Sequence, residues 1–300
     1  MTDDAFTAGS HFLLSQARLL EQRLFATCFL GAPAAGVIDA LRGYRNDDGG
    51  FGHGLEPDKR CPASLPLDVE TAFKAFVAAD AIDDSLVLQA CDFLARTAAE
   101  AGAGGAVPLA LPVIEDFPHA EHLSDWTYEP GLNPTAGLVG LLYQLGVDHP
   151  WMTQGAAYCS EQLESGGLVG DAHVLSEVLI FLEHVPERDR AAEHASALAA
   201  QLPAVTLLNL DPETPDYGLT PLHLAPTPSS PWSALFTDAQ IEGHLDHLER
   251  LQEADGGWPI TWNPPSHASV LEWRGIVTLE ALRTLRSYGR LTTDASRGSS

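Results

Sequence analysis

A chain of 300 residues with 45% hydrophobic content is long enough to bury a large core, and no long polar stretch divides it. The formal net charge of −25 excludes nucleic acid and anionic membrane surfaces as partners, because each phosphate contact needs a cation. Residues 1–4 carry acid where a secretion signal needs base, and the longest uncharged apolar stretch, 101–114, is too short to span a bilayer. Four cysteines without CxxC spacing indicate free thiols. These features predict a cytoplasmic protein with no membrane span.

Apolar residues recur with helical spacing along the chain, whereas β-type alternation is nearly absent. In chain order, helices are predicted over 12–29, 132–145, 174–182, 241–251 and 270–285. The first and fourth are amphipathic, whereas the other three are apolar around most of their circumference and must be covered on all sides. Buried helices inside an amphipathic layer predict an all-α, single-domain α/α toroid of about six inner and six outer helices. The domain is predicted to span 1–288, and 289–300 to form a disordered tail.

A short motif occurs twice, as LRGYRNDDGGFG over 41–52 and as LERLQEADGGWP over 248–259. In each copy a helix ends, an Asp-Gly-Gly turn follows, and an aromatic residue comes next. Glycine supplies the positive φ that stops a helix, and the aromatic ring can cover the gap between neighbouring hairpins. The motif therefore indicates a helical repeat.

The second copy, Gln-Glu-Ala-Asp-Gly-Gly-Trp, resembles the Gln-Trp repeat of squalene-hopene-type cyclases and the glycine-aromatic turn of protein prenyltransferase β subunits. The chain thus resembles a small, divergent, bacterial-type member of the terpene cyclase and protein prenyltransferase superfamily. This resemblance implies the same α/α-toroid fold.

Parallel inner helices of a toroid bring their N-terminal ends, and the loops that enter them, to one rim of the cavity. Helix starts are predicted at Pro66, Asn133, Asp171 and either Ser266 or Ser269. The acids near these starts are the candidate catalytic residues: Glu56, Asp58, Asp68, Glu70 and Glu272. The other polar residues near them are candidate substrate contacts: His53, Asn133, His173 and Arg274.

Each of these residues also has a structural interpretation. An acid near a helix N-terminus gains ~0.3–1 kcal/mol from the helix dipole alone. Glu272 could form a buried ion pair with Arg274 and have no catalytic part. His173 could be a packed or surface histidine.

Aromatic residues in or beside the turn loops complete the candidate binding set: Phe51, Trp126, Tyr128, Tyr217, Trp258, Trp262 and Trp273. Filling the core is the default role of such residues. If they line a cavity, each ring face would stabilise a cationic intermediate by ~0.5–2 kcal/mol, or would stack against a sugar.

The stretch Leu67-Asp68-Val69-Glu70-Thr71-Ala72 is similar to the Asp-Val-Asp-Asp-Thr-Ala motif with which class II terpene cyclases protonate an alkene. Glu70 aligns with the last acid, and Val69 stands at the position of the proton donor. The resemblance implies acid–base chemistry on a small hydrophobic isoprenoid, with Glu70, Asp68 or Glu272 as the acid or base. The superfamily's magnesium and zinc motifs are not found in the sequence. No cofactor is therefore predicted, while Mg²⁺ binding by the acids and a homodimer stay open.

Two other functions stay open. A glycosidase or lyase on an α/α toroid would use Glu56 or Asp58 with Glu272, at carboxyl separations of ~5–5.5 or ~6.5–9.5 Å. A non-catalytic protein of the same fold would bind a partner through the rim of the toroid.

Overall fold

The computed structural model describes residues 3–166 and 170–291. Its helices in chain order are α1 (Asp3–Gln16), α2 (Leu19–Leu30), α3 (Ala35–Arg42), α4 (Pro66–Ala79), α5 (Asp84–Ala101), α6 (Leu132–Gln144), α7 (Pro150–Glu164), α8 (Ala172–His184), α9 (Arg188–Gln201), α10 (Pro221–Leu224), α11 (Asp238–Arg250) and α12 (His267–Ser287). This described part contains isolated β-bridges but no strand, which confirms the all-α prediction. Its helices include none that is both long and apolar enough to cross a bilayer.

Contacts divide the chain into two compact units. Unit 1 comprises residues 1–33 and 207–300 and holds α1, α2 and α10 to α12. Unit 2 comprises residues 34–206 and holds α3 to α9. The closed toroid and the single domain over 1–288 stay predictions.

In unit 2, α6 packs between α4 and α8. Every residue of α6 from 134 to 142 is buried, as its sequence predicts. Gly137 lies against Glu177 of α8, and Gly140, further along α6, lies against Ile180 and Phe181, further along α8. The two helices therefore run in the same direction, and the glycines allow their close approach.

In unit 1, α1 and α2 both pack against α12. The prediction of one helix over 12–29 is wrong, because the helix is interrupted at Ala17 and Arg18. Arg18 has an extended backbone (φ −63°, ψ 162°), and its guanidinium binds Glu21 at 2.6 Å. Ala17 packs so closely on Gly275 of α12 that a Cβ on the glycine would lie 2.8 Å from the Cβ of Ala17.

The prediction that 270–285 is buried on all sides is also wrong. In α12, Leu279, Leu282 and Leu285 are buried. Trp273 and Ile276 are partly exposed. The helix therefore keeps a partly exposed side, although α1, α2 and α11 pack against it.

Both predicted turns have the same structure, one in each unit. The first glycine has φ +90° at Gly49 and +91° at Gly256. The second glycine donates its N–H to the aspartate Oδ1 at 3.0 Å in both copies. The aromatic residues Phe51 and Trp258 are both buried, at 0% and 2% exposure. The internal repeat is therefore structural as well as sequential.

The neighbouring helix covers each turn in the same way. A Cβ on Gly49 would lie 2.6 Å from the carbonyl oxygen of Gln89 in α5, and one on Gly256 would lie 2.2 Å from that of Ala8 in α1. Neither glycine could be replaced without moving a helix.

Several predicted helix starts are confirmed. α4 begins at Pro66, Asp171 caps α8 with its side chain, and Ser266 caps α12 by accepting the N–H of Ser269. The first residues of the predicted tail lie within the described part of the chain. Among them, Arg290 pairs with Asp246 and Glu249 of α11. Residues 292–300 of that tail lie outside the described residues.

Candidate active site

The chain contains two lysines, Lys59 and Lys74, and in unit 2 each of them lies between two carboxyl groups. Asp68 and Glu70, at the start of α4, contribute one carboxyl to each cluster. The Lys59 cluster is Glu56, Lys59 and Asp68. The Lys74 cluster is Glu70, Lys74 and Glu177.

The Lys59 cluster is sealed from solvent. Lys59 Nζ lies 2.9 Å from Glu56 Oε2 and 3.1 Å from Asp68 Oδ1, and it donates to the Glu56 carbonyl oxygen at 3.2 Å. The side chains of Lys59 and Asp68 are completely buried, and Glu56 is 6% exposed. Asp68 Oδ1 also accepts the backbone N–H of Glu56 at 2.8 Å, which ties the loop to α4.

The protonation of the Lys59 cluster follows from burial and charge. Burial alone lowers the pKa of Lys59, but the charges of Asp68 and Glu56 outweigh it, and the pKa is raised. Burial raises the pKa of Glu56, although Lys59 opposes the shift. Lys59 is therefore a cation that compensates buried acids and not a free nucleophilic amine.

A second contact closes the loop that carries Lys59. Asp58 is buried, and its Oδ2 lies 3.2 Å from Nε2 of His122, whose side chain is 52% exposed. The backbone of the two segments is also joined, since Ala120 donates its N–H to the Asp58 carbonyl at 2.7 Å. The hydrogen bond to Asp58 raises the pKa of His122. Asp58 therefore joins the two loops, and its contact with His122 is called the latch below.

The Lys74 cluster joins α4 and α8. Lys74 Nζ lies 2.5 Å from Glu70 Oε1 and donates to Glu177 Oε1 at 3.3 Å. Glu70 and Glu177 are only 2% and 6% exposed, whereas the side chain of Lys74 is 48% exposed. The two acids therefore lie just below the surface, behind the lysine.

Gly137 of α6 makes room for the two acids. A Cβ at this position would lie 1.5 Å from Glu177 Oε2 and 3.4 Å from Glu70 Oε1. The Glu177 carboxyl therefore occupies the space that any other residue on α6 would fill. Glycine is therefore required at this position for the space it leaves and not for its backbone conformation.

The Glu177 and Glu70 carboxyls both lie near Gly137, and Glu177 Oε2 is buried without a hydrogen-bond partner among the described residues. Burial raises the pKa of Glu177 well above its ordinary value, and the negative charge of Glu70 raises it further. Burial lowers the pKa of Lys74, but Glu177 and Glu70 outweigh this effect and keep it a cation. The Lys74 cluster therefore has two buried carboxyls beside one cation, and burial favours the neutral form of Glu177.

This arrangement suits proton transfer better than metal binding. Within residues 3–166 and 170–291, no three His, Cys, Asp or Glu side chains are grouped so that they could hold a metal ion. The Lys74 ammonium already occupies the position between the two acids.

The remaining candidates of unit 2 do not join the Lys74 cluster. Phe51 fills the core, and Trp126 is 59% exposed. His53 Nε2 is hydrogen-bonded to Asn46 Oδ1 at 2.8 Å. His173 Nδ1 lies 3.4 Å from the capping Asp171.

Two further candidates lie at the edges of this unit. The Tyr128 hydroxyl donates to Glu115. Asn133 lies at the start of α6 with a non-helical backbone (φ −96°, ψ 115°) and is partly exposed.

The other candidates lie in unit 1. Tyr217, Trp262 and Trp273 pack edge to face, with ring centroids 5.7 and 5.0 Å apart. Trp258 is buried in the second turn and donates its indole N–H to the Leu248 carbonyl at 2.8 Å. Glu272 is partly buried beside Trp273 on α12.

The expected ion pair between Glu272 and Arg274 is not formed. Arg274 instead binds Asp255 and Glu253, both at 2.7 Å, and lies over the ring of Phe12. It thereby clamps the second Asp-Gly-Gly turn to α1. Arg274 has a structural role in unit 1.

Sequence reasoning did not select four residues that form or border these clusters: Lys59, Lys74, Gly137 and Glu177. Two signals could have found some of them. The chain has only two lysines against 41 acids, and Glu177 is the acid in the most apolar part of α8. Gly137 gave no signal, because glycine in an apolar helix is also used for close packing alone.

No protein-family model matches this sequence, and no curated protein shows significant similarity to it.

Proposed function

We propose that this protein is a terpene-cyclase-like enzyme that acts on a hydrophobic isoprenoid by proton transfer, with Glu177 and Glu70 as the acid–base pair. The observation that carries the proposal is the buried carboxyl of Glu177, which lies beside the buried carboxyl of Glu70 and has one oxygen without a hydrogen-bond partner among the described residues. Protonating an alkene needs a carboxyl group that is still protonated at neutral pH. Burial and the neighbouring charge of Glu70 both raise the pKa of Glu177, in the direction that this chemistry needs.

The cluster has a part for each side chain. Glu177 gives its proton to an alkene carbon and becomes a carboxylate. Lys74 Nζ, 3.3 Å from Glu177 Oε1, stabilises the new charge. The resulting carbocation loses a proton to water, and Glu177 takes up a proton from solvent before the next turnover, so that no net proton is consumed.

The surroundings support the same proposal. The parallel packing of α6 with α8, and of α4 against α6, is what neighbouring inner helices of an α/α toroid require. The two identical turns support a relationship to the superfamily that the sequence resembles.

The cluster also assigns the acid within the Asp68 to Ala72 stretch. Asp68 is bound to the buried Lys59, so its charge is already compensated. Glu70 and Glu177 both lie near Gly137, behind Lys74. We therefore assign the acid–base role to Glu70 and Glu177, and a structural role to Asp68 and Glu56.

The test is turnover in D₂O. The purified protein is incubated with prenyl diphosphates, squalene and polyene alcohols, and the products are analysed by gas chromatography and mass spectrometry. We expect a product that carries one deuterium from the acid, and its loss in Glu177→Gln, which keeps the shape but has no acidic proton. Glu183→Gln, an acid of α8 outside the cluster, is the matched control and should keep the activity. Absence of turnover with all three substrate classes would refute the isoprenoid assignment.

A further inference from the structure

Glu177 and Glu70 are separated from solvent by the side chain of Lys74. The two acids are 6% and 2% exposed, whereas Lys74 is 48% exposed as a side chain and contacts a carboxyl oxygen of each. On the opposite side, Gly137 and the buried residues of α6 close the site. A proton that leaves Glu177 must therefore be replaced past Lys74 or through the protein.

We infer that Lys74 is the proton relay that recharges the Glu177 and Glu70 pair from solvent. The inference rests on the proposed function, because only a pair that gives away its proton needs recharging. It gives Lys74 a role in that function, and it gives the proton a route from solvent to Glu177 through the exposed side of the cluster.

The relay step is balanced in protons. Lys74 transfers one proton from its ammonium to the ionised Glu177 carboxylate, which leaves a neutral amine and a carboxylic acid. Bulk water then gives a proton to the amine and restores the ammonium. The amine nitrogen lies within hydrogen-bond distance of the acceptor, at 3.3 Å, so the first transfer needs no movement of the backbone.

The structure also indicates why lysine suits this position. An arginine would supply the same charge and hydrogen bonds, but its guanidinium cannot be deprotonated in a protein. Lys74→Arg therefore separates the two roles of the residue. It keeps the electrostatic role and removes the relay.

The test follows the proton without any substrate. The infrared C=O stretch of the protonated carboxyl is recorded while the protein is mixed rapidly into D₂O, and the rate of its isotope shift is measured. We expect exchange to be roughly tenfold slower, or more, in Lys74→Arg, and similarly slow in Lys74→Met. The band itself should remain in Lys74→Arg. Thr71→Val, on the same partly exposed side of α4, is the matched control and should exchange like the wild type.

The outcomes separate the relay from the proposed function. An unchanged exchange rate in both Lys74 variants would overturn the relay, because water would then reach the acids directly. A wild-type spectrum without a protonated carboxyl band that is sensitive to Glu177→Gln would overturn the proposed acid, and the relay with it. If the Met variant fails to fold, the Arg variant decides the result alone.

Discussion

Lys59 and Lys74 each lie between two carboxyl groups of unit 2, but the two clusters differ in solvent access. Lys59 and its acids are buried completely or nearly so, and its two nearest carboxyl oxygens both accept from it. Lys74 is half exposed, and behind it lie the buried carboxyls of Glu70 and Glu177. The first cluster holds a loop on a helix, whereas the second is the one for which we propose proton transfer. Burial of charge alone therefore does not identify a catalytic site.

The largest expected effect tests the structural role of the Lys59 cluster. Lys59→Met leaves Glu56 and Asp68 buried without their cation, and we expect the free energy of unfolding to fall by about 3–5 kcal/mol. Chemical denaturation followed by circular dichroism measures the change. Lys74→Met should cost clearly less, because solvent reaches that cluster. Equal losses would contradict the distinction between a sealed and an open cluster.

Gly137→Ala tests the space that the acid pair needs. The added Cβ overlaps the Glu177 carboxyl, so we expect a loss of about 1–3 kcal/mol and displacement of that carboxyl from Glu70. Denaturation measures the first effect, and loss of the protonated-carboxyl infrared band measures the second. Gly43→Ala is the matched control, because Gly43 has an ordinary helical φ of −69° and a Cβ there would meet one carbonyl oxygen at 3.3 Å. A Gly137→Ala protein with an unchanged band would show that the pair does not depend on this glycine.

The raised pKa of Glu177 predicts that the difference in unfolding free energy between wild type and Glu177→Gln depends on pH. Below the ordinary pKa of 4.5, Glu177 is protonated in both the folded and the unfolded protein. As pH rises above this value, the unfolded state loses the proton first, so the wild-type stability falls by about 1.4 kcal/mol per pH unit until the raised folded pKa is reached. The glutamine does not ionise, so Glu177→Gln lacks this loss of stability with rising pH.

The stability of Glu177→Gln relative to wild type should therefore increase with pH above 4.5. Denaturation curves over a pH series measure this difference. Glu183→Gln should run parallel to wild type over the same range. A constant difference for Glu177→Gln would mean that Glu177 ionises normally.

The smallest expected effect concerns the latch between Asp58 and His122. The folded pKa of His122 is raised above its ordinary value of 6.5, so its contribution is complete below pH 6.5 and is lost as pH rises through the folded pKa. Because the histidine is half exposed, we expect at most about 1 kcal/mol. His122→Gln should lower the stability at acidic pH and leave it unchanged at alkaline pH. A double-mutant cycle with Asp58→Asn isolates the pair, and a coupling that does not change with pH would exclude the ion pair.

The sequence by itself determined the local features of this protein. Helical periodicity predicted the all-α class, and proline and capping residues fixed the starts of α4, α8 and α12. The two Asp-Gly-Gly turns were also predictable, because their positive φ and their aspartate hydrogen bonds involve residues close in the chain. Such features depend on neighbours along the chain, and a single sequence contains them.

Only the tertiary structure decided which acids lie together. Asp68 and Glu70 are near neighbours on α4, but one faces Lys59 and the other faces Lys74 and Glu177. The contact between Lys74 and Glu177 joins positions 103 residues apart, and it needs Gly137 of a third helix to leave the space. The pKa of a carboxyl depends on its burial and on charges within a few ångströms, and packing of distant segments sets both.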